Sequence, residues 1–390
     1  MSTFLGEFNE PELKYICADY FCKPISECDA STFFLSHCHS GILALLCSTN
    51  ISGIQIPKER IKILEIDKPT SITVWPNEDD KGSVNPYELM VTSLKAGHCP
   101  GSVMFLFELP TLRVLFTGDF RMDVKSVKKM KPLHSSEGCL KEIHSLYLDN
   151  TFDKEKYMYF PSREESLKSL KDLIDDWTNC GKNGRTIKLI TSARFGSEYL
   201  FIELNKIYRK KIHVDEEEYN KYYQHISLLK EAVTPNASDS SFIHACHKNS
   251  PRHHCNILQK NLANIRLIKP CALSFNSHRL EQEGNVLAAG ADGIFRVVYS
   301  CHSSFSEIHN ILHYLNPKKI YTITDESKYF NENSDSESEE DSQELLPKKR
   351  KNSDNAENES FSLFSPMKKS ALSDIEDPPS PENFCNSYSR

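Results

Sequence analysis

The chain has 390 residues, 39% hydrophobic and 26% charged, with a formal charge of −7, which is too long for one ordinary core and predicts two domains plus an appendage. No apolar run reaches the roughly 18 residues a membrane helix needs, and the opening MSTFLGEFNEPELK lacks a basic stretch followed by an apolar one, so a soluble, non-secreted chain without membrane contact is expected. The 13 scattered cysteines fit a reducing compartment better than a disulfide framework.

In chain order, strands are expected at TFFL (32 to 35), ELMVTSL (88 to 94), VMFLFEL (103 to 109), RVLFTG (113 to 118), SLYLD (145 to 149), IKLIT (187 to 191) and FRVVYS (295 to 300), each rich in branched and aromatic residues. Helices are expected after Pro161 and after Ser304. Ser162 and Glu165 are spaced as a capping box ahead of Leu167, Leu170, Ile174 and Trp177, and Ser304 and Glu307 repeat the device ahead of Ile308, Leu312 and Leu315. The result is an α/β protein whose polar residues gather where strands end.

From Thr324 onward there are 16 acidic and 8 basic residues, against 38 acidic and 39 basic before it. That tail is rich in Ser, Glu, Asp, Asn and Pro and buries too little apolar area to offset chain entropy, so disorder is expected. Within it Pro347 precedes Lys348, Lys349, Arg350 and Lys351, a compact basic cluster that reads as a nuclear-import signal. Its bland alternative is a solvated charge run.

Four strand-end segments carry imidazole or carboxylate. LSHCHS supplies His37 and His39, AGHCPGS supplies His98, FTGDF supplies Asp119, and YSCHSSFSE supplies His302. Two histidines at i and i+2 on a loop leaving a strand reach one cation from the same side. A third imidazole completes a facial set, and a carboxylate bridges to a second ion. Imidazole with carboxylate suits zinc or a similar first-row ion and leaves an open position for water, whose pKa the cation lowers. A lone histidine is by default hydrogen-bonded or on the surface; five candidate ligands, all at strand ends, are a poor match to coincidence.

These segments, with YLDNTF and SFIHAC, resemble the metallo-β-lactamase-fold nucleases of the β-CASP group, the DNA cross-link repair family, over about residues 10 to 320. The resemblance implies a metallo-β-lactamase αββα sandwich with an inserted β-CASP domain. The expected layout is residues 1–155 and a shortened closing part 291–323 for the first domain, 156–290 for the insertion, and 324–390 for the acidic tail. It implies a metal-dependent 5′ to 3′ exonuclease and structure-selective endonuclease that trims hairpins and overhangs in double-strand break repair by end joining, with V(D)J recombination and interstrand cross-link repair as further settings. DNA ends, single-stranded overhangs and hairpins are the implied substrates, end-joining kinase and ligase factors the implied partners, and the nucleus the implied compartment. By motif, His37, His39, His98, Asp119 and His302 are the implied metal ligands. Asp19 in ICADYF and Asp149 in LDNTF match acidic motifs that act beside them, although each alone is an ordinary turn or cap residue. The implied catalytic set is thus Asp119, His98, Asp149 and Asp19. Zinc is the implied ion, one or two per site, with magnesium or manganese as activity-supporting alternatives.

The chain departs from the family in the first histidine motif and again in the closing part, where the tail follows directly after NILHYLNPKKIYTIT. The pattern His-x-His-x-Asp-His requires Asp and His where Gly41 and Ile42 stand, and the chain from His39 to RIKILEID runs about twenty residues short of the usual element sizes. One ion keeps its ligands; a second keeps only Asp119 and His302. The alternative reading is therefore a DNA-binding repair protein of the same fold with impaired cutting. A small-molecule hydrolase is disfavoured by the insertion and the basic cluster.

Within the insertion, His213, His244, Cys246 and Cys255 form the natural quartet for a tetrahedral structural zinc, with His253 and His254 as alternatives to Cys255. The resemblance implies the same type of site. Basic stretches at 125–131 and 208–211, and Lys269, are candidate phosphate contacts, with solvated faces as their default. Phe120 and Phe305 are candidate base-stacking residues whose default is the core.

Overall fold

The computed structural model describes residues 4–20, 29–37, 63–76, 80, 82, 84–179, 184–191, 195–237, 242–246, 255 and 262–324. His39, His253, His254, the Gly41-Ile42 departure and the tail beyond Thr324, with Lys348, Lys349, Arg350 and Lys351, lie outside them.

Three sheets organise the described residues. Strands β1 (Ile16–Ala18) and β2 (Thr32–Phe34) pair in parallel. β3 (Thr70–Val74), β4 (Tyr87–Lys95), β5 (Val103–Leu109), β6 (Leu112–Phe116) and β7 (Ser145–Leu148) form a six-stranded sheet completed by β15 (Lys319–Thr322), in the order β15-β7-β6-β5-β4-β3. The third sheet has seven strands: β8 (Thr186–Leu189), β9 (Ile212–His213), β10 (Val233–Thr234), β11 (Ile243–His244), β12 (Ile265–Cys271), β13 (Val286–Leu287) and β14 (Ile294–Val298), ordered β10-β9-β11-β8-β12-β14-β13.

The run VMFLFEL is apolar at successive positions because β5 is covered on both faces. Phe105 and Phe107 pack with Ile16, Ala18 and Phe34 of the small sheet, whereas Met104 and Leu106 pack with Ile308, Ile311 and Leu315 of helix Phe305–Leu315. β6 divides in the same way, Val114 and Phe116 to one side and Leu115 to the other. Each such side chain contributes about 1.5–3 kcal/mol of transfer free energy. Sheet, sheet and helix are therefore layered in that order, and among the described residues the small sheet has only two strands.

Both capping boxes form. Ser162 and Glu165 open helix Arg163–Thr178, and Ser304 and Glu307 open helix Phe305–Leu315, each with reciprocal side-chain to backbone hydrogen bonds. Leu170 and Ile174 are buried on the first helix and Ile308, Ile311 and Leu315 on the second. β14 pairs in parallel with β12 over Leu267–Cys271 and Ile294–Val298, so the seven-stranded sheet continues to Val298, and Val297 and Val298 are buried there.

Candidate metal centre

β4 and β6 are each antiparallel to β5, and β6 is parallel to β7, so the carboxyl ends of β4, β6 and β7 share one edge of the six-stranded sheet. His98, Asp119 and Asp149 follow those three ends, and His37 follows β2. His302 follows β14 of the other sheet and joins them across the junction.

Asp119 is the meeting point. Its Oδ2 lies 3.5 Å from His37 Nε2 and 3.7 Å from His98 Nε2. Donor atoms of His37, His98 and Asp119 lie within 4.8 Å of one another, as do those of Asp119, Asp149 and His302. A tetrahedral ion with bonds of about 2.0–2.1 Å needs donors about 3.3 Å apart, so the first trio fits one small cation with little adjustment. Asp119 belongs to both trios, which is the placement a bridging carboxylate requires.

Each imidazole turns the correct nitrogen inward because its other nitrogen is engaged. His37 Nδ1 lies 2.9 Å from Ser36 Oγ, and Ser36 in turn donates from its backbone N–H to Asp19 Oδ1 at 2.7 Å and from its hydroxyl to Asp19 Oδ2. His98 Nδ1 donates to the Cys301 carbonyl at 3.1 Å. Both rings are held as the Nδ1–H tautomer with Nε2 facing Asp119. Asp19 thus acts through Ser36 on His37 and lies 4.0 Å from that ring.

Burial opposes a charge on His98, but Cys301 and Asp119 outweigh it and raise its pKa. For His302 the same opposition is overcome by Asp149 and Cys301, and its pKa stands well above the ordinary value. Burial raises the Cys301 thiol, yet the two imidazoles bring it well below the ordinary range.

Glycines permit the crowding. A Cβ on Gly118, which has φ +50°, would stand 2.8 Å from Ser36 Cβ and closer to its hydroxyl. A Cβ on Gly97, at φ +70°, would stand 2.5 Å from the Arg121 carbonyl. Two arginines tie the junction. Arg121 donates to the carbonyls of Ser300 (2.9 Å) and Pro161 (2.8 Å) and lies 3.7 Å from Glu307, while Arg163 donates to the carbonyls of Gly97 and His98. Burial lowers the Arg121 pKa from its very high ordinary value.

In the insertion, donors of His213, His244, Cys246 and Cys255 lie within 4.8 Å of one another. His213 Nδ1 and His244 Nδ1 are 3.1 Å apart, and Cys255 Sγ is 3.6 Å from His244 Nδ1. Tetrahedral zinc with about 2.05 Å nitrogen and about 2.3 Å sulfur bonds needs separations of about 3.3 and about 3.6 Å. The quartet fits, with adjacent strands β9 and β11 supplying the two histidines at paired positions.

The remaining candidates are dispersed. Phe120 is buried in the core between sheet and helix, which removes it as a base-stacking residue. Phe305 lies over His309 with ring centres 4.0 Å apart. Lys125, Lys128, Lys129 and Lys131 are exposed, Lys128 lying 5.0 Å from the Tyr314 ring centre. Arg209, Lys210 and Lys211 are exposed at a helix end, and Lys269 is half-buried in β12. The glycines beside His98 and Asp119 are singled out by the sequence, whereas Ser36, Arg121, Arg163 and Cys301 are not. Their neighbours in the motifs were the only available signal, since each acts through backbone or through a residue far away in the chain.

Residues 186–328 match the family described as DNA repair metallo-beta-lactamase. Protein artemis of Danio rerio is 33% identical over 82% of this chain and 53% of its own length. Protein artemis of Homo sapiens is 32% identical over 82% of this chain and 49% of its own. The DNA cross-link repair 1A protein of Gallus gallus is 26% identical over 74% and 30%. The chain spans about half the length of the artemis proteins it matches. The mixed α/β sheets described above agree with the metallo-β-lactamase fold.

Proposed function

With residues 186–328 matching the DNA repair metallo-beta-lactamase family and 82% of the chain similar to protein artemis, we propose that this protein is a metal-dependent DNA nuclease of DNA repair. The observation that carries the reading is Asp119 Oδ2 at 3.5 and 3.7 Å from the Nε2 atoms of His37 and His98. The finer proposal is 5′ to 3′ exonuclease and structure-selective endonuclease action on overhangs and hairpins in the nucleus. It serves break repair by end joining, with recombination and cross-link repair as further settings and end-joining kinase and ligase factors as partners.

His37, His98 and Asp119, with His39 by motif, would hold zinc, and Asp119 and His302 would face a second ion, for which magnesium or manganese are alternatives. When bound, such an ion supplies Lewis acidity that activates water and offsets charge on phosphodiester oxygens. The chain's own residues do the rest. Asp19 and Ser36 fix the His37 ring, the Cys301 carbonyl fixes His98, and Asp149 fixes His302. Arg121 and Arg163 keep the two sheets' strand ends together, so the donors are oriented before substrate arrives. The insertion quartet would hold a zinc of structural role.

Gly41 and Ile42 favour a second reading, a DNA-binding repair protein with impaired cutting. The two are separated by cleavage of 5′-labelled single-stranded and hairpin DNA by the wild type and by a variant with a Lys-Asp-His segment restored after His39. Cutting by both supports the nuclease. Cutting by the restored variant alone supports the impaired protein, and binding without cutting in both overturns the nuclease reading.

A further inference from the structure

Cys301 lies between two residues of the strand-end cluster. Its sulfur and ring nitrogens of His98 and His302 lie within 4.8 Å of one another, and the two imidazole ring centres are 4.7 Å apart. The backbone fixes this position. The Cys301 carbonyl receives His98 Nδ1 at 3.1 Å, and Ser300 Oγ receives the His302 N–H at 3.1 Å while donating to the His302 carbonyl at 2.7 Å. Residues 300–302 are thereby folded tightly against the end of β14.

The insertion makes room for the sulfur. A Cβ on Gly196, at φ +105°, would stand 2.6 Å from Cys301 Sγ and 2.8 Å from its Cβ. The Gly196 carbonyl is fixed by the Tyr299 hydroxyl at 2.5 Å. A side chain at position 196 would push the thiol out of the imidazole pair. The donor count also matters. By sequence, Gly41 and Ile42 stand where the family pattern has Asp and His, so the second cation position keeps only Asp119 and His302, and a three-ligand open site needs a replacement.

We propose that Cys301 is a thiolate cation ligand that acts with His98 and His302 beside the second cation position, where Gly41 and Ile42 stand in place of the Asp and His of the family pattern. Binding forms the sulfur–metal bond and releases to solvent the proton shared between the thiol and the imidazoles that face it. A thiolate shifts preference from magnesium and manganese towards zinc and cadmium, so the substitution changes which ion the site takes. The inference rests on the metal-centre reading of this cleft, and the test separates the two.

The probe is cadmium added to the full chain, read by sulfur-to-cadmium charge-transfer absorption and by bound cadmium per chain. The wild type is expected to show three cadmium-bound sulfurs, from Cys246, Cys255 and Cys301, and Cys301→Ser or Cys301→Ala two, a fall of about one third in absorption. The two-sulfur signal of the insertion reports in each variant that the fold survives. Independently of any substitution, cadmium should slow iodoacetamide labelling of wild-type Cys301 about tenfold or more, while labelling of the exposed Cys139 stays unchanged. Equal absorption in wild type and both variants, or equal Cys301 labelling with and without cadmium, overturns the proposal. If His37→Ala and Asp119→Ala lose cadmium in that case, the cleft remains a metal centre without Cys301; if they lose none, both readings fall.

Discussion

His302 Nδ1 lies 2.7 Å from Asp149 Oδ2, although the residues are 153 positions apart and leave strands of different sheets. Asp149 is buried, and its other contacts are the Thr151 N–H (3.0 Å) and hydroxyl (2.6 Å) on Oδ1 and the Phe120 N–H (3.3 Å) on Oδ2. A buried carboxylate with its lone pairs so filled is a fixed acceptor, and it sets both the orientation and the charge of His302.

Asp149→Asn should therefore change a pH dependence. In chelator, the raised pKa of His302 means that its contribution to stability is fully present below the unfolded value near 6.5 and lost as pH rises through the folded value. The gap in thermal midpoint between wild type and Asp149→Asn should be widest below the unfolded value near 6.5 and shrink as pH rises above it. A gap constant across that range would show that Asp149 does not act through the His302 charge.

Gly118→Ala tests the relay beneath His37. The new Cβ would meet Ser36 at a residue already at φ +50°, so a loss of about 1–3 kcal/mol is expected from strain and overpacking. Ser36→Ala, which removes only the hydroxyl shared by Asp19 and His37, should cost about 1 kcal/mol. Chemical denaturation of the two variants beside the wild type measures this; Gly118→Ala as stable as the wild type contradicts it.

The insertion quartet makes a sharper claim. His244 Nδ1 faces two other donors at 3.1 and 3.6 Å. The Cys246 thiol is held far above its ordinary pKa by its bond to Cys255 and by burial, so a cation must displace a strongly held proton and binding should weaken as pH falls. His244→Ala should lose one metal equivalent per chain, by elemental analysis, and lower the thermal midpoint. Cys139→Ser, at an exposed position, should leave both unchanged. Retention of the full metal content by His244→Ala contradicts the quartet.

Local signals were legible wherever chemistry is contiguous in sequence. VMFLFEL announced β5 because both its faces are covered, and Ser162 with Glu165 and Ser304 with Glu307 announced two helix starts. β9, β10 and β11, with two residues each, are too short for any period to register, although β9 and β11 deliver His213 and His244. The strand ends of His98, Asp119 and Asp149 were readable as motifs, whereas the pairing of His302 with Asp149 and the reach of Arg121 to Ser300 and Pro161 depend on a junction between sheets. Phe120 was readable only as an aromatic beside Asp119; its burial against the helix follows from packing.

Cleavage of a 5′-labelled DNA hairpin by metal-loaded wild type and by Asp119→Ala tests the central claim most directly, because Asp119 is shared by both strand-end donor trios. The account predicts labelled products from the wild type and a loss of about a hundredfold or more in rate for Asp119→Ala, with the insertion's metal equivalent retained. Equal product formation by the two proteins would contradict it.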